Sequence, residues 1–200
     1  MTQNNVGIYA SQVSGRLYGG PFGAYDSLAT VTLSATASSI TFAGIPTGYK
    51  HLQIRGIHRT TGAFNVGDIY MQVNGESGSN YANHVLVGDG TSVASTGGGN
   101  RTSVMGFDYY NSIGATGLAN AFATCIIDIL DYANVFKFKT IRFLEGRDFN
   151  SNNTDSRVYF ESGLWMNTSA ITSITFSALN GGGAAANIDT NSTFALYGVK

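Results

Sequence analysis

The sequence predicts an all-β chain, an antiparallel jelly-roll-like β-sandwich with an irregular N-terminal arm. Three observations predict it. Runs in which β-branched and aromatic residues alternate with polar ones recur about ten times, and a period of two marks a strand with one buried face. Glycine, 26 of 200 residues, and asparagine separate these runs as turn residues do. No stretch sustains the 3.6-residue period of a long amphipathic helix.

Residues 1–25 mix Gly, Tyr, Ser and Asn without periodicity and are expected to form the arm, leaving 26–200 as the sandwich domain. The runs LATVTL and SSITFAGI alternate, and the small residues between them suggest a hairpin. In YKHLQIRGIHRT, Leu52 and Ile54 face away from Gln53 and Arg55, and a bulge at Gly56 would return Ile57 to the apolar side. Asn74-Gly75 and Asp89-Gly90 tolerate the positive φ of tight hairpin turns. In RTSVMGFDYY, Val104, Gly106 and Asp108 oppose Met105, Phe107 and Tyr109. NAFATCIIDILDYAN has a helix's length, yet Thr124, Ile126, Ile127, Ile129 and Leu130 favour a buried strand.

KFKTIRFLEGRD alternates almost without fault, with Phe138, Thr140, Arg142 and Leu144 opposite Lys137, Lys139, Ile141, Phe143 and Glu145. RVYFESGLWMN, ITSITFSAL and STFALYGV complete the set. In the last, Phe194, Leu196 and Gly198 share one face, and Thr193, Ala195, Tyr197 and Val199 the other. Both faces are substantially apolar, so a neighbouring subunit is expected to cover the second, with Tyr197 and Val199 in that contact.

Only 12% of residues are charged and the formal net charge is −1. A phosphate backbone needs a basic field, so nucleic acid is not an expected partner. No segment is apolar for long enough to span a membrane as a helix, and no basic-then-apolar leader opens the chain, so synthesis in the cytoplasm without secretion is expected. The lone cysteine, Cys125, lies in an apolar run and reads as a small core hydrophobe.

Candidate chemistry is sparse. His51 and His58 lie seven residues apart, on opposite faces of a regular strand and roughly 23 Å from each other at its rise, so no single metal ion bridges them. They read as part of a solvated sheet face. Asp148, Asn150 and Asn152 occupy alternate positions of a calcium loop, but Asn153 stands where glycine is required and Tyr159 where a bidentate glutamate is. An Asn-rich turn is the better reading. Asp128 and Asp131 do not converge as acid and base, since they fall on opposite faces. The runs Gly97–Gly99 and Gly181–Gly183 lack a phosphate loop's Lys-Ser/Thr ending and read as loop tips. Trp165 reads as core rather than as a platform for a sugar. Neither a metal nor a cofactor is expected, and no constellation supports an enzyme.

The segments YDSLATVTL, ITFAGIPTGYKHLQIRG, DILDYAN, FKTIR, SGLWMNTSAITSITF and STFALYGVK together resemble small virion structural proteins of tailed bacteriophages, of the tail-fibre, minor structural or head-decoration type. The likeness runs from about Tyr25 to Lys200 and carries no functional residues with it. It implies a non-enzymatic protein on the surface of a phage particle, a head-decoration or short fibre protein. A homotrimer is expected, because symmetric assembly covers exposed sheet edges. The arm would clamp another virion protein, with Tyr9, Arg16, Leu17, Tyr18 and Phe22 as its anchoring residues. The alternative is a tail-fibre, receptor-binding protein whose loops around Gly97, Asn150 and Gly182 touch a host-surface glycan.

Overall fold

Strands with one apolar face have to meet a second apolar layer, and the structure supplies it as two stacked antiparallel sheets. It is a computed structural model, and it describes residues 23–104, 110–150 and 155–200. Among them are thirteen strands and no helix. The larger sheet runs β1 (Tyr25–Thr32), β13 (Thr193–Val199), β3 (His51–His58), β8 (Ala123–Leu130), β9 (Lys139–Arg147), β10 (Arg157–Trp165), β5 (Tyr81–Gly88) and β6 (Val93–Arg101). The smaller runs β12 (Ala185–Ala186), β11 (Ser173–Asn180), β4 (Val66–Val73) and β7 (Ser112–Ile113), with β2 (Ser39–Ala43) also paired to β11.

Between the sheets lies the main core, and Val85, Val87 and Tyr159 form a second, smaller cluster. Leu52, Ile54, Ile127, Ile129, Ile141 and Phe143 reach the main core from the larger sheet, and Ile69, Met71, Ile174 and Phe176 from the smaller. Trp165 belongs to this core, as does Cys125, whose thiol burial pushes up in pKa. The stretch with a helix's length forms strand β8, because its alternate residues Ala123, Cys125, Ile127 and Ile129 all point inward. This is the jelly-roll-like sandwich that the alternation predicts.

Four local expectations are corrected. The runs at 28–33 and 38–45 do not form a hairpin with each other: β1 pairs with β13, and β2 with β11 in the opposite sheet. The chain crosses between sheets there, tied by backbone bonds from Leu33 to Ser192 and from Ala37 to Ile188. Asn74 and Gly75 do adopt positive φ, 52° and 67°. Their turn carries the chain from the smaller sheet to the larger, whereas the turn at Asp89-Gly90 closes the β5–β6 hairpin.

Gly56 does not bulge. Its register is unbroken against both β13 and β8, so it points inward with Ile54 and His58 while Ile57 is half exposed. A Cβ at position 56 would lie 2.6 Å from Cys125 Sγ and 2.8 Å from the Phe194 ring. Close packing, rather than a change of parity, requires glycine. Finally, Gly97–Gly99 are not a loop tip but lie within β6, paired to His84 and Asn83. The His84 ring lies over the α-carbon of Gly97, 2.2 Å from where a Cβ would stand. The expected alternation over 105–109 lies outside the described residues; Val104, at its start, bridges to Met71.

Candidate functional site

The two histidines of β3 have separate fates. His51 accepts the backbone N–H of Asp131 at its Nδ1 and lies 3.7 Å from the Asp131 carboxylate. His58 is not on a solvated face. It is fully buried, stacked on Phe194 at 5.7 Å between centroids, with Nδ1 at 2.9 Å from Ser112 Oγ. Burial lowers its pKa to about 3, so the ring is neutral.

Asp128 and Asp131 do not converge. Asp128 accepts from Gln53 in the sheet, whereas Asp131, at φ 48°, pairs with Lys50 and Lys137 beyond the strand end. Asp148 caps its own turn, accepting from the N–H of Asn150 at 2.7 Å; Asn152 and Asn153 lie outside the described residues. Gly182 sits in the turn from β11 to β12. Of the three places expected to form glycan-contacting loops, Gly97 lies in a strand, Gly182 in a turn, and Asn150 at the end of the described residues that follow β9. The proposed anchoring residues Tyr9, Arg16, Leu17, Tyr18 and Phe22 also lie outside the described residues.

Tyr197 and Val199 project from the outer face of the larger sheet. The Tyr25 ring meets Tyr197 edge-on at 6.5 Å, and the Arg55 guanidinium lies 5.4 Å over the Tyr197 ring. The chain's own β1 and β3 therefore shield part of this face.

The densest polar chemistry is inside the sandwich, on the inner faces of β9, β10 and β5. Glu145 stands opposite Tyr159, and Glu161 opposite Phe143. Asn83 Nδ2 donates to Glu161 at 3.1 Å, and Asn111 Nδ2 to Glu145 at 3.1 Å. Asn111 also exchanges bonds with the backbone of Ile69, and its own N–H donates to Asp68. These side chains are all more than nine-tenths buried. Burial, then the neighbouring Glu161, raises the Glu145 carboxyl well above the usual range. Charge repulsion between buried carboxylates favours holding one proton rather than none.

Such a pair resembles catalytic acid–base machinery in its electrostatics, but general acid–base work needs contact with a substrate atom. Here the carboxylates are enclosed, and their partners are amides: Asn111 ties β9 to β4 across the two sheets, and Asn83 ties β5 to its neighbour β10. Alternation places Glu145 beside Ile141 and Phe143 on a buried face. Its partners Glu161 and Asn111 are invisible at that level, because they meet it only through cross-strand register and a loop.

The outer face of the same sheet is the converse. Across β8, β9, β10 and β5 the register aligns Ile126, Leu144, Phe160 and Leu86 in one row, and all four are substantially exposed. The adjoining row carries Ile57, Thr124, Gly146, Val158, Gly88 and Val93.

No family model matches the sequence, and no curated protein matches it. Among solved structures, a mutant alginate lyase in complex with alginate tetrasaccharide is similar over 91% of each chain, at 9% identity and a TM-score of 0.26. A likeness that loose carries no argument about this chain.

Proposed function

We propose that the chain is a non-enzymatic structural protein of a bacteriophage particle, displayed on its surface as a head-decoration or short fibre protein. It would be made in the host cytoplasm and attached to another virion protein through the N-terminal arm that the sequence puts at residues 1–25. The observation that supports this best is the division of chemistry between the two faces of the larger sheet. The carboxylates suited to acid–base work are enclosed, with Glu145 3% and Glu161 2% exposed, while apolar side chains crowd the outer face. An enzyme presents its titratable groups to a cleft, whereas a repeated particle component presents surface to neighbours. The segments from Tyr25 to Lys200 that resemble phage structural proteins point the same way.

The experiment is mass spectrometry of purified particles, with antibody labelling in the electron microscope. The protein should appear in many copies per particle. Labelling on the head supports decoration, and labelling on the tail a fibre. Its absence from particles that are otherwise intact overturns the reading.

A further inference from the structure

We propose that the outer face of β8, β9, β10 and β5 is a self-association surface, on which a second copy of this chain packs face to face about a two-fold axis. The proposal deepens the reading of the chain as a repeated particle component and rests on it for its biological meaning.

The size of the patch is the first argument. Seven apolar side chains in two adjacent rows, five on β8, β9, β10 and β5 and two flanking them, Ile57 on β3 and Val93 on β6, are 40–73% exposed. At roughly 60–120 Å² for each aliphatic side chain, from about 1.5–3 kcal/mol at about 25 cal/mol per Å², and roughly 150–250 Å² for Phe160, they leave on the order of 400 Å² of apolar surface. That lies within the range of about 300–600 Å² for the largest patch on a typical monomer, which is often functional, and a stable pairing buries about 800 Å² per partner, of which somewhat over half is apolar. The surface is of the size that a dimer needs.

Shape is the second. Val158 stands between Gly146 and Gly88 in its row. A Cβ on Gly88 would meet nothing within 4 Å, and one on Gly146 only atoms at 3.7 and 4.0 Å. Two hollows therefore lie beside three projections, Val158, Phe160 and Leu86. A surface that carries both knobs and holes offers what an isologous contact requires, a projection and a recess on the same patch. Charge does not oppose the pairing. The polar row on the other side of the apolar stripe sets Asp128 opposite Arg142, and Arg55 is stacked on Tyr25 and Tyr197 of its own chain.

This places the contact further across the sheet than Tyr197 and Val199, and makes it two-fold where a trimer is expected from the sequence. The test is the mass of the full chain in solution, measured by light scattering and sedimentation equilibrium. The expected value is twice the 21.1 kDa of one chain. Phe160→Glu, which would bury an unpaired charge, should weaken pairing by ~100-fold or more, with a thermal midpoint that no longer depends on concentration and matches that of the wild-type chain diluted to monomer. Gly88→Arg fills a hollow without removing any packed atom, and gives the same readout should Phe160→Glu disturb folding. The chain lacking residues 1–22 should still pair. A monomer at all concentrations, a threefold mass, or a dimer indifferent to both substitutions overturns the proposal. So does a full chain that pairs only after residues 1–22 are removed, since the arm would then be the occupant. Solution mass and presence in particles are read separately, so this inference can fail while the proposed function stands, and the reverse.

Discussion

His58 and Glu145 are titratable residues held in the core in their neutral forms, and their effects on stability run in opposite directions. Below pH 6.5 the unfolded chain takes up a proton that the buried imidazole refuses down to about 3. Stability therefore falls as pH drops through that window, by about 1.4 kcal/mol per unit. Glu145 has a folded pKa raised above 4.5. Above that value the unfolded chain releases a proton that the folded carboxyl keeps, so stability falls as pH rises. From 4.5 upward the two slopes oppose each other, so the urea midpoint should depend on pH less steeply than either group alone would make it. In His58→Gln, stability should rise as pH falls toward 4.5, and in Glu145→Gln it should decline. Parallel curves for wild type and both variants would show that neither group governs the profile. Alternation shows the burial of Glu145 but not its partners, and the burial of His58 is not legible from the sequence. His58 stands in a polar-looking stretch with His51 and two arginines, and only the unbroken register at Gly56 turns it inward.

Elements are where the sequence is most informative. Alternation identifies the buried side of β9 correctly even where that side carries a charge. Lys139, in line with Ile141 and Phe143, is buried and donates from Nζ to the carbonyls of Asn134, Lys137 and Thr168. What alternation lacks is the reason for a glycine. At Gly56 a bulge and a close contact both accommodate the residue, and they predict opposite faces for Ile57. The contact decides it. Gly56→Ala should cost about 1–3 kcal/mol, the range for overpacking a well-filled core, because the new methyl meets Cys125 and Phe194. Gly99→Ala, in edge strand β6 with nothing within 4 Å of the new methyl, should be neutral or raise stability by about 0.5 kcal/mol. Denaturant midpoints of the two variants check the pair. Similar losses in both would remove the packing explanation.

For the whole molecule, fold class was legible and pairing was not, because nothing local says which distant strand a given strand will meet. β1 shows this best. Its alternation marks a strand, but its partner is the C-terminal β13, more than 160 residues away. The consequence is that the beginning and end of the sandwich hold each other. Asp26 bonds Lys200, the Lys200 N–H reaches the carbonyl of Ala24, and Leu28, Ala29 and Val31 pack against the main core. Two truncations separate the arm from the fold. Removing residues 1–22 leaves β1 whole, so the thermal midpoint should not change. Removing 1–32 strips β1 and leaves β13 as a bare sheet edge. Burying a Val or Leu contributes about 1.5–3 kcal/mol, and these side chains are only partly covered, so the loss should be about 3 kcal/mol. That is a large fraction of the 5–15 kcal/mol that holds a domain together. The longer truncation should also aggregate, because β13 would then present unpaired N–H and C=O groups beside an apolar face. Calorimetry with light scattering decides it: if the two truncated chains melt alike and stay dispersed, β1 is an accessory to the sandwich rather than its closing strand.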